Sequence, residues 1–188
     1  MPEFIKDGQG SGRLVGVDDD HRMKVSSRTN ERVYYASRDF GKAYIVQFEL
    51  TQASGGSTEG VGSIQYNGSN RLNIKQIALS TEESGMTSFG VWKNPTVTGG
   101  TLSLPINLNF SSNLSSDTTC YEATDSGSIS ISGGTSIFTC RMYQPKTEII
   151  PFYDAIILGI NDIIAFKGNA ATTGSKIRIN VMIHESIS

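Results

Sequence analysis

The residues best suited to chemistry lie in one acidic run near the N-terminus, Asp18-Asp19-Asp20-His21. Carboxylates beside an imidazole are ligands for a hard or borderline divalent cation. Adjacent side chains of an extended chain point to opposite sides, however, so these four groups do not converge on one ion without help from elsewhere. Their spacing is also not that of an EF-hand loop. The run favours a solvated turn, and we expect no bound metal and no cofactor.

The sequence contains few of the residues that nucleophilic catalysis or phosphate transfer would need. The chain has two histidines, His21 and His184, and it has no G-x-S-x-G nucleophile elbow. It also lacks a glycine-rich phosphate loop. The paired carboxylates of a glycosidase assemble only in space, but nothing in the sequence singles out a pair. We predict that the protein is not an enzyme.

The two cysteines, Cys120 and Cys140, flank a segment that turns near Gly133-Gly134. They could therefore face each other across neighbouring strands. The N-terminal residues lack the apolar core of a signal peptide, which predicts a protein that is made in the cytoplasm and leaves a cell only by lysis or by a dedicated route. Reduced, buried cysteines are the default there, and a disulfide is the alternative.

Composition and periodicity indicate an all-β chain. From Lys176 to His184 the odd positions are β-branched and apolar, whereas the even ones are polar except Met182. That period of two predicts a strand with one face on a core. Similar segments recur about every ten residues, with turn residues between them. The sequence predicts an antiparallel jelly-roll-like β-sandwich over residues 41–188, with about eight to ten strands.

The sequence also predicts five local features. Asn67-Gly68 predicts a hairpin with a type I′ turn, and a break in phase at Lys75-Gln76 predicts a bulge. Ser80–Met86 is the place where we expect a short helical turn. The alternating apolar positions from Leu102 to Phe110 predict one long strand. Gly168–Gly174 predicts the loop of a hairpin that closes the sandwich at its C-terminal end.

Residues 1–40 form a different segment, which we predict to be an extended N-terminal arm. Between His21 and Lys42 it carries six basic residues and two acidic ones, with too few apolar groups to fold alone. It is either a solvated tether or an arm that docks on an acidic protein surface. In the second case its basic contacts would be Arg22, Lys24, Arg28, Arg32 and Arg38, and its apolar contacts Tyr34, Tyr35 and Phe40.

The charge distribution narrows the classes of partner. A formal net charge of −2 gives no reason to expect nucleic acid or a membrane surface. No Lys or Arg occurs from Asn94 to Cys140. This Ser/Thr-rich stretch is either a plain β edge or a face for protein contact.

Among the aromatic residues, Trp92 is interpreted as a core or interface anchor rather than a platform for a sugar. Tyr66-Asn67 and Tyr121-Glu122 are the candidate contacts for a glycan.

Two stretches carry a family resemblance. Val17–Val25 resembles the V-D-x-x-x-R-(apolar)-x-V arm that precedes a β-domain in a group of tailed-phage virion proteins. Trp92–Leu102 resembles the R-N-P-T-G-G-T-L turn of the same group, with Lys93 at the Arg position and Val97-Thr98 as an insertion. The group comprises capsid decoration, cement and head-fibre proteins.

The resemblance implies a β-sandwich that works as a homotrimer on a capsid. It implies the major capsid protein or another virion protein as partner, and the virion as location. It brings no catalytic residues with it. A carbohydrate- or receptor-binding module and a tail or neck adaptor protein are the alternatives.

Overall fold

The computed structural model describes Phe4–Lys6, Leu14–Gly16, residues 40–143 and residues 145–186. None of these residues is helical, so the described chain has no helix that could span a membrane. The chain divides into two units, Met1–Arg32 and Val33–Ser188. In the first unit, β1 (Phe4–Lys6) pairs antiparallel with β2 (Leu14–Gly16). The predicted domain boundary at residue 40 stays a prediction.

The strands of the second unit, in chain order, alternate between two large sheets and a small ribbon. They are β3 (Ala43–Thr51), β4 (Glu59–Tyr66), β5 (Leu72–Thr81), β6 (Thr87–Lys93), β7 (Thr96–Gly99), β8 (Thr101–Ser103), β9 (Ile106–Asn107), β10 (Thr118–Glu122), β11 (Ile129–Ser132), β12 (Thr135–Met142), β13 (Lys146–Leu158), β14 (Ile163–Ala170) and β15 (Lys176–Glu185).

Eight of these strands give the fold its topology. One sheet has the order β13-β5-β15-β3-β9 and the other β12-β6-β14-β4-β10-β8, with every neighbouring pair antiparallel. Without β8, β9 and β10 each sheet has four strands, and the chain crosses between the sheets at nearly every connection. That arrangement is a jelly roll. The predicted all-β, jelly-roll-like sandwich is confirmed.

The core lies between the two sheets and follows the predicted periodicity. Ile177, Ile179, Val181 and Ile183 of β15 are all buried, as their alternation predicts. Across the core, the ring centroids of Phe48 and Phe166 lie 5.6 Å apart. Phe48 is seated directly on the backbone at Gly62, because a methyl group there would lie 2.4 Å from its Cδ1 atom.

Residues 94–134, which we call the insertion, separate β6 from β12. The insertion supplies β8 and β10 to one sheet beyond β4, and β9 to the other sheet beyond β3. Its strands β7 and β11 pair with each other as a separate ribbon. One edge of the sandwich is therefore built by the insertion. The opposite edge is formed by β12 and β13, whose Phe138 and Phe152 rings meet edge to face at 5.8 Å.

The edge strand β13 is interrupted. Its pairing with β5 shifts between Pro151 and Ile156. Within that interval Tyr153 and Asp154 have φ values of 49° and 65°. On the β5 side the shift passes over Lys75, and the pairing of β5 with β15 shifts there as well. The bulge predicted at Lys75-Gln76 is confirmed.

Both predicted hairpins are wrong. β4 and β5 flank Asn67-Gly68 but belong to different sheets, and so do β14 and β15. The turn residues were read correctly as chain reversals, but a jelly roll reverses its chain across the core and not within a sheet. Asn67 instead holds the insertion, since its backbone N–H donates to the Asp117 carbonyl at 2.8 Å and its amide to Thr119 Oγ1 at 2.8 Å.

Two further expectations are also wrong. Residues 82–86 form a loop and no helical turn, because the Glu83 carboxylate accepts the Gly85 N–H at 2.8 Å and the Thr172 N–H at 2.7 Å. The long strand from Leu102 to Phe110 is broken into β8 and β9, which join different sheets. The break falls at Pro105, which has no N–H to donate and which restricts the backbone before it.

Cys120 and Cys140 are both free thiols, as the reduced default predicts, but only Cys120 is buried and Cys140 is half-buried. They do not face each other across neighbouring strands. Cys120 lies on β10 and Cys140 on β12, and β6, β14 and β4 lie between those strands. Burial raises the pKa of the Cys120 thiol to about 11.

Candidate functional site

Most of the predicted arm contacts cannot be placed. Arg22, Lys24, Arg28, Arg32, Tyr34, Tyr35 and Arg38 lie outside the described residues, as does the Asp18-Asp19-Asp20-His21 run. Phe40 is described, and 46 % of it is exposed. Within the described part of the chain, no three His, Cys, Asp or Glu side chains are grouped as a metal site would require.

His184 and Asp154 form the one notable pair of titratable side chains that we find among the described residues. Asp154 Oδ1 lies 3.6 Å from His184 Nδ1, and both side chains are almost fully buried. The left-handed backbone of Asp154 in the β13 interruption directs its carboxylate inward to β15. A buried pair without an open approach is not placed for a substrate.

The insertion carries a series of exposed apolar side chains. Leu104 is 75 % exposed and Phe110 is 91 % exposed. We call the series the insertion face; its members are Leu102, Leu104, Ile106, Phe110 and Leu114, each at least half or nearly half exposed. Single exposed apolar residues are ordinary, but a cluster within thirteen positions is typical of a contact surface.

Polar contacts hold this apolar segment in a defined position. The Asn107 amide donates to the Gly41 carbonyl at 2.7 Å and to the Leu114 carbonyl at 2.9 Å. The backbone N–H of Leu108 donates to the Ala43 carbonyl at 2.8 Å. These bonds tie the middle of the segment to the start of β3, and they tie its end at Leu114 to Asn107. The apolar side chains are therefore presented on a fixed backbone, which lowers the entropy that binding must remove.

A second anchor uses the last residue of β15. The buried Glu185 carboxylate accepts the Asp117 N–H at 2.7 Å and the Ser116 hydroxyl at 2.9 Å. Tyr44 lies beside it and donates its hydroxyl to the Ser115 carbonyl at 3.1 Å. Burial, followed by the charges of Glu185 and Asp117, raises the pKa of Tyr44 to about 12. Tyr44 thus remains a neutral donor at any physiological pH.

The opposite edge carries an apolar concavity. A cleft of about 280 Å³ opens between β12 and β13. Its aliphatic lining consists of Ile137, Ala155, Ile156, Ile157, Leu158 and Ile164, with Lys93 at its margin. We call it the isoleucine cleft. Ile137 is the residue at which β12 bulges from its register with β6, so the bulge is what brings this side chain to the cleft.

A third concavity is polar. A cleft of about 480 Å³ lies on the outer face of β4, between β10, β14 and the β7–β11 ribbon, and Ser63, Gln65 and Tyr121 line it. Tyr121 is 36 % exposed, so its ring is open to a ligand, whereas Tyr66 is buried and cannot serve as a sugar platform. Burial and then the charge of Glu49 raise the pKa of Glu122, next to Tyr121. Trp92 is half-buried, with Lys167 Nζ 4.7 Å from its ring centroid.

Sequence reasoning singled out the insertion but not its exposed face. The absence of basic residues from Asn94 to Cys140 marked it as a possible contact surface. The alternation of Leu102, Leu104 and Ile106 predicts one long strand instead. Pro105 inside that series was the available signal, because proline is confined to edges and bulges of sheets. The isoleucine cleft left no signal, since its lining comes from strands far apart in sequence.

Comparison with known proteins gives a distant structural likeness only. No family model matches the chain, and no curated protein matches it in sequence. A chain from the structure of deformed wing virus, a honeybee pathogen, is matched over 100 % of this chain with 8 % identity and a TM-score of 0.27. A chain of the infectious bursal disease virus VP2 subviral particle is matched over 99 % with 15 % identity and a TM-score of 0.18.

This chain spans about half the length of those structures, 53 % and 47 % respectively. At such TM-scores the likeness identifies no family, and the description of the fold stands on the strand order given above.

Proposed function

We propose that this chain is a non-enzymatic structural protein of a phage particle. It decorates or cements the capsid through its N-terminal arm and an oligomeric β-sandwich. Its partners are the major capsid protein or another virion protein, and further copies of itself, with a homotrimer expected. The virion is its location.

The insertion face is the observation that carries this proposal. Phe110 and Leu104 are exposed to an extent that costs free energy in a monomer, roughly 25 cal/mol for each Å² of apolar surface left in water. The anchors through Asn107 and Glu185 keep that surface in place. A fixed apolar surface of this kind supports a role in assembly.

The sequence of the arm supports the choice of a capsid surface. Its basic residues Arg22, Lys24, Arg28, Arg32 and Arg38 suit an acidic partner, and repetition around an oligomer would multiply weak contacts through effective concentration. The resemblance of Val17–Val25 and Trp92–Leu102 to phage virion proteins supports the same location.

Binding to empty capsids tests the proposal. We expect the full chain to sediment with the particles and a chain without residues 1–40 to remain in the supernatant, while its circular dichroism still shows a folded β-domain. A second arm variant, with Arg22, Arg28 and Arg32 changed to Glu, keeps the length and reverses the charge. Full occupancy of the capsid by both variants would overturn the proposal.

A carbohydrate-binding module is the second candidate, because Tyr121 lies at the polar cleft with Gln65 and Ser63. An aromatic ring beside an amide and a hydroxyl is suited to a neutral sugar. A glycan array of the wild-type protein and of Tyr121→Ala tests this function. Hits that disappear in the variant would support it, and an array without hits would exclude it.

A further inference from the structure

We propose that the insertion face of one copy packs against the isoleucine cleft of the next copy. The contact would be head-to-tail, between two different surfaces of identical chains. It rests on the oligomeric sandwich of the proposed function and names the two surfaces that build it.

The two surfaces lie on opposite edges of one sandwich. The insertion face belongs to the edge closed by β8 and β9, and the isoleucine cleft belongs to the edge formed by β12 and β13. Every copy thus has one of each, facing away from each other. A second copy is therefore the one partner certain to carry both complements.

The shapes of the two surfaces are complementary. Leu104 and Phe110 project, being 75 % and 91 % exposed. The isoleucine cleft is concave, with buried Leu158 and Ile164 in its floor and half-exposed Ile137 and Ile157 at its rim. A projecting Leu or Phe side chain would meet mainly aliphatic carbon in such a cleft. Large apolar side chains in a concave, fully desolvated site are the usual centre of an interface.

The charges around the two surfaces also agree with this pairing. The insertion contains Asp117, Glu122 and Asp125 and no basic residue. The cleft edge carries Lys93, which lies near Asp162, and Arg141 on the exposed side of β12, while Lys146 and Glu148 of β13 pair with each other at 2.8 Å. Lys42 lies beside the insertion, with its Nζ atom 3.9 Å from Glu185 Oε2, but two insertions placed against each other would still bring together an excess of acidic charge, which disfavours that contact. A contact between unlike edges places acidic residues near basic ones.

A contact between two different surfaces has a definite consequence for assembly. It leaves one free surface at each end, so the chain of copies either closes into a ring or extends as a filament, depending on the rotation between neighbours. It also means that two differently damaged chains can still make one good contact with each other. An interface that pairs one surface with itself has no such property.

Light scattering coupled to size exclusion tests this pairing with four samples. The full-length wild type is expected at a multiple of the protomer mass of 20.3 kDa. Leu104→Asp on the insertion face and Ile157→Asp in the cleft are each expected to be monomeric. Their equimolar mixture is expected at twice the protomer mass, because the cleft of the first variant and the insertion face of the second are intact.

Matched controls keep the result interpretable. Met86→Asp changes an exposed apolar residue outside both surfaces and should leave the wild-type mass unchanged. Circular dichroism verifies folding, and Phe110→Ser replaces Leu104→Asp if the latter does not fold, since Phe110 makes little contact with the core. A monomeric wild type at its highest soluble concentration would overturn the inference, as would a mixture that stays monomeric.

Capsid sedimentation of the same samples separates this inference from the proposed function. If the wild type forms oligomers and the two variants associate in their mixture, but the wild type never binds capsids, the pairing is supported and the virion role is overturned. If the wild type binds capsids although it is monomeric in solution, the virion role is supported and the pairing is overturned.

Discussion

The carboxylate of Glu185 accepts a hydrogen bond of 2.7 Å from the backbone N–H of Asp117, sixty-eight residues earlier in the chain. This bond joins the end of the last strand to the insertion. Glu185 is buried, so its removal would leave that N–H without its acceptor, whereas the Ser116 hydroxyl would keep Thr118 Oγ1 at 3.0 Å as a partner. An unsatisfied buried donor costs about 1–3 kcal/mol.

We therefore expect Glu185→Ala to lower the free energy of unfolding by about 1–3 kcal/mol and to speed amide exchange over residues 106–119. Urea unfolding and hydrogen exchange measure the two effects. The control is Glu82→Ala, since Glu82 is exposed and pairs only with Arg178 at the surface. If Glu185→Ala and Glu82→Ala lower the free energy of unfolding equally, the bond between Glu185 and Asp117 does not stabilise the fold.

The loop after β5 makes the stability of the fold depend on pH. The Gly85 N–H first, and then the Ser175 hydroxyl, lower the pKa of Glu83 from 4.5 to about 2. A carboxyl whose pKa is lower in the folded state stabilises the protein above its unfolded pKa, and this stabilisation is lost as the pH falls. The Glu83 contribution should therefore be complete above pH 4.5 and disappear between pH 4.5 and about 2.

Thermal unfolding of wild type and Glu83→Gln across that range measures it. We expect Glu83→Gln to be the less stable protein at neutral pH and the difference to shrink on acidification. A constant difference at all pH values would show that the ionised form of Glu83 is not the stabilising one.

The contact between Gly62 and Phe48 leaves no room for a side chain. Because a methyl group on Gly62 would lie 2.4 Å from the Phe48 ring, we expect Gly62→Ala to destabilise the fold by about 1–3 kcal/mol, the usual cost of overpacking. Gly159→Ala is the matched control, since its methyl group would meet only Asp162 Oδ2 at 3.5 Å. Denaturant unfolding of both variants decides; equal stabilities would contradict the close packing of β3 on β4.

The two thiols should differ sharply in reactivity. Cys120 is fully buried with a pKa raised to about 11, whereas Cys140 is partly exposed on the edge strand β12. We expect a thiol reagent to label Cys140 in the native protein and Cys120 only after unfolding. Mass spectrometry of peptides from both states, with Cys140→Ser as control, reads this directly. Labelling of Cys120 in the native Cys140→Ser variant would contradict its burial.

The same geometry excludes an internal disulfide. Four strand spacings of about 4.8 Å place β10 roughly 19 Å from β12, far beyond the reach of about 7 Å between Cα atoms that a disulfide allows. Mild oxidation should therefore leave the monomer without an internal link.

Local pattern was enough to predict parts of this fold. The alternation of Ile177, Ile179, Val181 and Ile183 placed them in the core because the period of a strand is set by its own backbone. The phase break at Lys75 marked a bulge for the same reason. The turn at Asn67-Gly68 was visible, but its strands were assigned wrongly to one sheet. Which sheet a strand joins depends on partners far away in sequence, which local periodicity does not encode.

The candidate surfaces were likewise predictable only in part. The missing basic residues drew attention to the insertion, since charge is a property of sequence alone. The exposure of Leu104 and Phe110 depends on the sheet order, because β8 and β9 extend different sheets at their edges. The isoleucine cleft needs both the β12 bulge at Ile137 and the interrupted β13. Neither the bulge nor the interruption can be placed beside the other without the order of strands in the sheets.

The interruption of β13 also decides how this protein behaves when many copies are crowded together. An unbroken thirteen-residue edge would template a further strand from any neighbour, and stacked strands of that kind form amyloid, which is close to irreversible. Pro151 has no N–H to offer, and the left-handed Tyr153 and Asp154 turn the backbone away from a straight edge. Growth of this sheet beyond β13 therefore stops at the interruption. Copies that meet at this edge do so through side chains, so a dense layer of them can still come apart.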